Sequence, residues 1–159
     1  LKKPVELVET NYGNRVRVRV CGICLIDEKI LLVNHQMYPG QDFWSFPGGG
    51  INFGEKASEA LQREITEETG FGTDIGSFLF VNEFVSQHLH AVELFFQAVV
   101  LHGELVTGID PEFGPEEQII KDVRFMTLEE LSGIENTAKH SVLGGLTDWN
   151  DLLNRGSLI

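Results

Sequence analysis

Basic residues are scarce: 12 Lys and Arg stand against 24 Asp and Glu, a formal charge of −12 with histidines neutral. A surface of that sign does not hold nucleic acid by charge, which needs a dense cationic footprint. It also lacks the Lys and Arg beside apolar anchors expected of a membrane-surface protein. Any phosphorylated ligand must therefore be neutralised locally. Long apolar runs are missing too. Leu94 to Leu101 falls far short of the roughly 20 residues needed to span a bilayer, and Glu93 and Gln97 mark its polar side. Lys2 and Lys3 precede no apolar h-region, so no secretory signal is expected. Two cysteines, Cys21 and Cys24, make no disulfide framework and suggest a reducing, cytoplasmic setting. They sit inside the apolar run Val20 to Ile26 with no second Cys or His pair nearby. A strand points residues three apart to opposite faces, which favours a structural role over metal or redox chemistry. No repeat, linker or low-complexity segment divides the chain. With 159 residues, 42% of them apolar, residues 1–159 are expected to form one domain around one core.

The pattern predicts a mixture of strands and helices. Arg15 to Val20 alternates strictly and continues into Cys21 to Ile26, one long strand that turns at Asp27-Glu28-Lys29 and returns as Ile30 to Val33. Met37 to Gln41, with Tyr38-Pro39-Gly40, has the composition of a loop. Phe43 to Phe46 is a short aromatic strand stopped by Pro47 and three glycines. Ala57 to Thr69 holds no Gly or Pro and is rich in helix formers, with Gly70 placed to end the helix. Ser77 to Ser86 and Ala91 to His102 are strands joined through Gln87-His88, and Gly103 to Pro115 is a loop. Asp122 to Met126 is a further strand, Leu128 to Leu131 starts a short helix, and Ser141 to Leu153 reads as a C-terminal helix. The class is α+β, a mixed sheet with helices.

Chemistry concentrates between Trp44 and Phe71. At about 100° per residue, Glu64, Glu67 and Glu68 occupy one arc of the helix, together with Ala57 and Ala60. Glu59, Gln62, Thr66 and Thr69 cluster on the other side, the expected solvated face. Three clustered carboxylates raise one another's pKa unless a cation sits among them, and a hard divalent ion with oxygen ligands, Mg²⁺ or Mn²⁺, is the natural solution. An acidic run is otherwise simply a solvated helix face. Gly48-Gly49-Gly50 after Pro47 brings backbone close to a ligand, and a helix opening soon after offers N–H groups to anions. Glycine loop, acid and carboxylate-bearing helix together make a place where a metal and a phosphate chain can meet.

These residues resemble the signature of the Nudix hydrolases, G-x5-E-x7-R-E-U-x-E-E-x-G-U with U bulky and apolar. Gly49, Glu55, Arg63, Glu64, Ile65, Glu67, Glu68, Gly70 and Phe71 meet all nine defined positions over 23 residues. The lead-in Trp44-Ser45-Phe46-Pro47-Gly48-Gly49 is also similar, and Phe125 stands where many members have Trp. The resemblance implies an α/β/α sandwich of mixed sheet between helices. It further implies cleavage of a pyrophosphate bond in a nucleoside diphosphate linked to another moiety, and a possible homodimer. Glu64, Glu67 and Glu68 would bind the divalent ions, with the Gly48 carbonyl as a further ligand. Arg63 would hold a helix carboxylate such as Glu67 in place, and Glu55 would act through water on a metal or anchor the loop. Glu64 is the first general-base candidate. The loop after the second hairpin supplies Glu116 and Glu117, ranked above Glu112 because they lie nearer the following strand.

Several residues bear on substrate choice. Trp44, Phe46 and Phe53 lie around the loop, either stacking on a base or sugar or filling the core. Arg15, Arg17 and Arg19 line one side of the first strand and either meet a phosphate or a second subunit or form a solvated face; Arg19, like Gly49 and Glu55, is carried as a substrate-binding candidate. His88 and His90 read as loop residues. ADP-ribose, nucleotide sugars and nucleoside triphosphates are not separated by any of these features. A non-catalytic Nudix-like module that senses a nucleotide is the alternative; such modules are expected to lose signature acids, and this chain keeps them all.

Overall fold

Alternation of apolar and polar residues along the chain builds two sheets. The computed structural model describes residues 4–38 and 40–156. In chain order the elements are α1 (Pro4–Tyr12), β1 (Val16–Ile23), β2 (Leu25–Ile26), β3 (Lys29–Tyr38), β4 (Gln41–Ser45), β5 (Gly48–Gly50), α2 (Ala57–Thr69), β6 (Phe71–Val85), β7 (His90–Gly103), β8 (Ile120–Met126), α3 (Leu128–Ser132) and α4 (Asn150–Leu153). Two short 3-10 turns, Asn136–Ala138 and Ser141–Leu143, lie between α3 and α4. One sheet runs β5-β1-β7-β6, with β1 and β7 parallel and the other pairs antiparallel. The other sheet is built on β3, which pairs antiparallel with β2, β4 and β8.

Ile30 to Val33 of β3 and the second half of β1 read as near-continuous apolar runs because both their faces are buried. Along β3, Ile30 and Leu32 enter one core cluster with Phe46, Phe95, Leu143 and Leu152, while Leu31 and Val33 enter another with Leu61 and Ile65 of α2. The result is a mixed sheet layered between α2 and the C-terminal helices, the expected α/β/α sandwich. Cys21 and Cys24 fall in opposite clusters, both free and buried, and burial raises both thiols, Cys24 to about 11.

α2 matches its expected span residue for residue, and Gly70 ends it in the left-handed conformation at φ 80°, its N–H donating to Thr66 O. Its solvated face is narrower than the pattern predicted. Thr69 is fully buried, because its hydroxyl satisfies itself on Ile65 O at 2.6 Å.

Four other expectations are corrected. The long first strand breaks at Cys24: β1 belongs to one sheet and β2 to the other, so the chain changes sheets there. Met37 to Gln41 is not an open loop, since Tyr38 pairs with Gln41 in a tight hairpin; Pro39 lies outside the described residues. His90 begins β7 and bonds Glu83 at 2.7 Å, whereas His88 stays in the loop as expected and pairs with Glu9 at 2.5 Å. The C-terminal helix is two fragments, because Gly144 is extended and Gly145 takes φ 70° between Ser141–Leu143 and Asn150–Leu153. The sequence pattern also missed α1, a nine-residue helix with Pro4 at its first position. Lys2 and Lys3 lie outside the described residues. No helix among the described residues is long and apolar enough to cross a membrane.

Leu61 is fully buried between α2 and the sheet. Leu61→Ala is expected to lower the unfolding free energy by about 2–5 kcal/mol. Denaturant titration checks it; a loss below about 1 kcal/mol would mean that the helix is not packed there.

Candidate active site

The glycine triplet forms a strand and not merely a turn. β5 pairs with β1 in the register Arg19 with Gly50, Val20 with Gly49 and Cys21 with Gly48. Only glycine fits. Gly48 has φ 148°, and a Cβ there would come within 2.0 Å of Val20 O. At Gly49 a Cβ would lie 2.3 Å from the Glu64 carboxyl carbon. The missing side chains let the strand lie directly against the carboxylates of α2, and the Gly48 N–H donates to Glu68 Oε2 at 2.9 Å.

Arg63 organises the rest. Its Nε and Nη2 hold both oxygens of Glu55 at 2.8 and 3.0 Å, a bidentate fork. Nη1 reaches Glu64 Oε1 at 2.7 Å and Glu67 Oε2 at 3.3 Å, and Nη2 also donates to Gly50 O at 3.1 Å. Glu55 additionally accepts the Asn52 N–H at 3.0 Å, so it pins the loop ahead of the helix. The hydrogen bond from Arg63 is the main reason its carboxyl is held below the usual range.

Glu64 behaves oppositely. Burial, and then the nearby charges of Glu68 and Glu67, push its carboxyl up to about 7 despite Arg63. Glu68 is 4% exposed, with His35 Nε2 3.6 Å from its second oxygen. One guanidinium thus bonds three carboxylates, Glu55, Glu64 and Glu67, with Glu68 beside them; Arg63 and the four carboxylates together carry 1 − 4 = −3 with all ionised. Among the described residues no three acidic, His or Cys side chains converge on a single point in the arrangement seen, because Arg63 and the Gly48 N–H draw two of them aside. The donor set nonetheless fits a hard divalent cation: oxygen ligands only, on one helix face, with one carboxyl raised by burial and by its acidic neighbours. The Gly48 carbonyl accepts Arg19 Nη2 at 3.1 Å.

A cavity opens beside this face, lined by Gly48–Gly50, Glu64 and Glu68, by Arg17, Arg19 and Cys21 of β1, and by Phe46, Phe84, Glu93 and His140. Arg19 and Phe46 are therefore at the wall. Phe46 is 1% exposed and packs edge-on against Phe95 and His140, so it is core and wall at once. Trp44 is buried away from the cavity with Arg124 over its ring, and Phe53 is fully exposed outside it. In the loop after β7, Asp110 and Glu112 line the cavity, whereas Glu116 and Glu117 do not. The reason is local: the Gln118 amide donates to Asp110 O at 2.9 Å and Phe113 O at 2.8 Å, and accepts the Asp110 N–H at 2.7 Å, folding the first half of the loop inward. Burial raises the Glu112 carboxyl.

One polar cluster at the cavity floor escaped the sequence reading. Glu93 is 1% exposed; its Oε2 accepts Asn82 Nδ2 at 2.9 Å and lies 2.8 Å from His140 Nε2. His140 Nδ1 accepts the Val142 N–H, so Nε2 carries the proton toward Glu93. Arg19 Nη1 stands 3.7 Å from the other oxygen. The signal was present in the strand alternation, since Ala91, Glu93 and Phe95 share a face and a carboxylate there faces the core. Its partner His140, 47 residues on, gave none.

A family model described as NUDIX domain matches residues 15–149. The chain belongs to the Nudix family. It is similar to an ADP-ribose pyrophosphatase of Methanocaldococcus jannaschii, 37% identical over 95 residues, which are 58% of this chain and 56% of that protein. It is also similar to Nudix hydrolase 2 of Arabidopsis thaliana, 25% identical over 152 residues, 93% of this chain and 51% of that one. The chain thus spans about half the length of these curated relatives. Among solved structures, a UDP-X diphosphatase superposes with a TM-score of 0.65 at 23% identity, covering 98% of this chain and 73% of that one, which shows the fold. The Nudix signature coincides with the Arg63-centred constellation, whereas the Glu93 cluster lies outside it.

That cluster has a pH signature. Burial works to raise the Glu93 carboxyl, but His140, Arg19 and Asn82 outweigh it and hold the carboxyl below its ordinary 4.5. A carboxyl depressed by folding stabilises the fold above its unfolded value and loses that contribution as pH falls through the lower folded value. Glu93→Gln is therefore expected to be less stable than the parent at neutral pH, with the gap closing below pH 4.5. Unfolding midpoints across the acid range check this; a constant gap would refute it.

Proposed function

We propose that this Nudix chain, residues 1–159 forming one domain, is a divalent-cation-dependent hydrolase of a phosphorus-containing acid anhydride. It would cleave the pyrophosphate bond of a nucleoside diphosphate linked to another moiety. The observation that carries this reading is the trio Glu64, Glu67 and Glu68 on one face of α2 against the side-chain-free strand Gly48–Gly50, with Glu64 pushed up to about 7 by burial and then by the charges of Glu68 and Glu67.

Glu64, Glu67 and Glu68 would hold Mg²⁺ or Mn²⁺, with the Gly48 carbonyl as a further ligand. When bound, the cation supplies polarisation of the phosphoryl oxygens and a more acidic water. The chain's own residues do the positioning. Gly48 N–H keeps Glu68 in place, Arg63 sets the rotamers of Glu64 and Glu67, and Glu55 anchors the loop through Arg63. Glu64 is the first-ranked proton acceptor, close to neutrality in its pKa and therefore matched to the task. Position on the cavity wall supports ranking Glu112 ahead of Glu116 and Glu117 as a loop base. A small nucleotide derivative is the partner we favour, such as ADP-ribose, a nucleotide sugar or a nucleoside triphosphate. An acidic surface of −12 argues against nucleic acid. Free buried cysteines accord with the cytoplasm, and homodimerisation, a family-level expectation, is read by sedimentation.

A panel of nucleoside diphosphate derivatives with Mg²⁺ or Mn²⁺, scored for released nucleoside monophosphate or phosphate, tests the reading. Glu64→Gln and Glu68→Gln are each expected to lower turnover by about a hundredfold or more while leaving the circular dichroism spectrum unchanged. Near-normal hydrolysis in both variants would dispose of the assignment. Nucleotide binding with no product from the parent protein would instead favour the sensing module.

A further inference from the structure

The cavity wall opposite the helix carboxylates carries polar groups that the proposed reaction leaves unused. Alternate residues of a strand share a face, so Arg17, Arg19 and Cys21 all project from β1 into the cavity. Arg19 is fixed by Gly48 O and Glu93, yet its buried Nε has no hydrogen-bond partner among the described residues. Tyr12, at the end of α1, is 9% exposed and lines the same cavity, and its buried hydroxyl is likewise unpartnered. Arg17 stacks on the Tyr12 ring with its guanidinium carbon 3.8 Å from the centroid. A Cβ on Gly50 would come within 3.0 Å of Arg17 Nη2, so the guanidinium lies against the glycine strand. Among the described residues no carboxylate is within ion-pairing distance of it, although Glu64 and Asp110 attract it from farther away. Burial, together with Arg19 and Arg15, lowers its pKa to about 10, and it remains a cation at neutral pH.

Buried donors without acceptors are costly, and two residues carrying them, Tyr12 and Arg19, line one cavity beside the half-buried Arg17. A carboxylate-rich protein of charge −12 has paired its other cavity-wall cation, Arg19, and left Arg17 open. An anion rich in acceptor oxygens satisfies all of these groups at once, because a guanidinium fork matches phosphate geometry and the phenol adds a neutral donor.

We propose that Tyr12, Arg17 and Arg19 form an anion subsite that receives a phosphoryl group of the substrate other than the one held at the helix carboxylates. Calling that ligand a substrate rests on the hydrolase reading above. Arg17 and Tyr12 touch the phosphoryl oxygens. Glu93, held in turn by His140 and Asn82, is a positioning residue that keeps Arg19 turned toward the glycine strand. The shared chemistry is a phosphoryl anion, either a terminal group or the inner phosphate of a diphosphodiester.

Calorimetry on the full chain in EDTA, with ADP and ADP-ribose as probes, separates the subsite from any cation site. The parent is expected to bind ADP without metal. Arg17→Gln weakens this roughly tenfold and Tyr12→Phe about threefold, with Arg17→Lys between the parent and the glutamine variant. Weakening for ADP alone assigns a terminal phosphoryl group; weakening for both probes assigns the inner phosphate. Affinities of the parent and Arg17→Gln within about twofold, or no binding of either probe by the parent, overturn the subsite. Hydrolysis with Mg²⁺ and an unchanged KM in Arg17→Gln would also overturn it and leave the hydrolase standing. Absence of hydrolysis alongside Arg17-sensitive binding would do the reverse.

Discussion

The site depends on how one guanidinium divides itself among too many carboxylates. Arg63 bonds Glu55, Glu64 and Glu67 directly, and Glu68 is reached only by a backbone N–H and, at longer range, His35. Two unit charges about 4 Å apart at a protein surface interact by about 4 kcal/mol. The negative excess of the cluster, offset only from a distance by Arg17 and Arg19, therefore favours protonation or the uptake of cations. Burial, reinforced by the charges of Glu68 and Glu67, raises the Glu64 carboxyl, which is the first response. Binding a cation is the second, and it would turn the same repulsion into affinity. The Arg63–Glu55 fork does not relieve this excess; it fixes where the excess is concentrated.

Geometry converts that concentration into a site. The helix alone presents the acids to solvent, where screening would make them ordinary. A second surface must approach within contact distance, and a side chain at position 49 would push the Glu64 carboxyl from where it lies. Pairing Gly48–Gly50 with β1 supplies that surface and ties it to the strand that bears Arg17 and Arg19. The acidic face and the cationic strand thus meet across three residues with no side chains.

What could be read from the sequence follows the range of the interaction involved. α2 and its acidic face were legible because a 3.6-residue period and a left-handed glycine are local signals. The Nudix signature was legible for the same reason, being one strand-loop-helix unit. The break at Cys24, the pairing of the glycine triplet and the division into two sheets depend on partners far along the chain, and Val20 to Ile26 looks the same whichever sheet receives it. Glu93 signalled itself as a charge on an apolar face, but His140 did not, since a histidine before a 3-10 turn has no periodicity to violate. The ranking of loop acids by nearness to β8 passed over Gln118, whose amide turns Asp110 and Glu112 to the cavity.

The distribution of charge around the cavity carries the last step. Anionic side chains come from α2 and the loop after β7, cationic ones from β1, and Glu93 lies behind Arg19 as its counter-charge. A diphosphate laid across such a cavity meets repulsion at one end and attraction at the other. It would settle more tightly once the acidic end has been neutralised by divalent ions. Arginines alone would have held the anion regardless of metal, and carboxylates alone would have held metal regardless of anion. Two opposed walls would make occupancy of one favour occupancy of the other, which, on the proposed reading, would tie the binding of a phosphorylated ligand to the presence of a divalent ion.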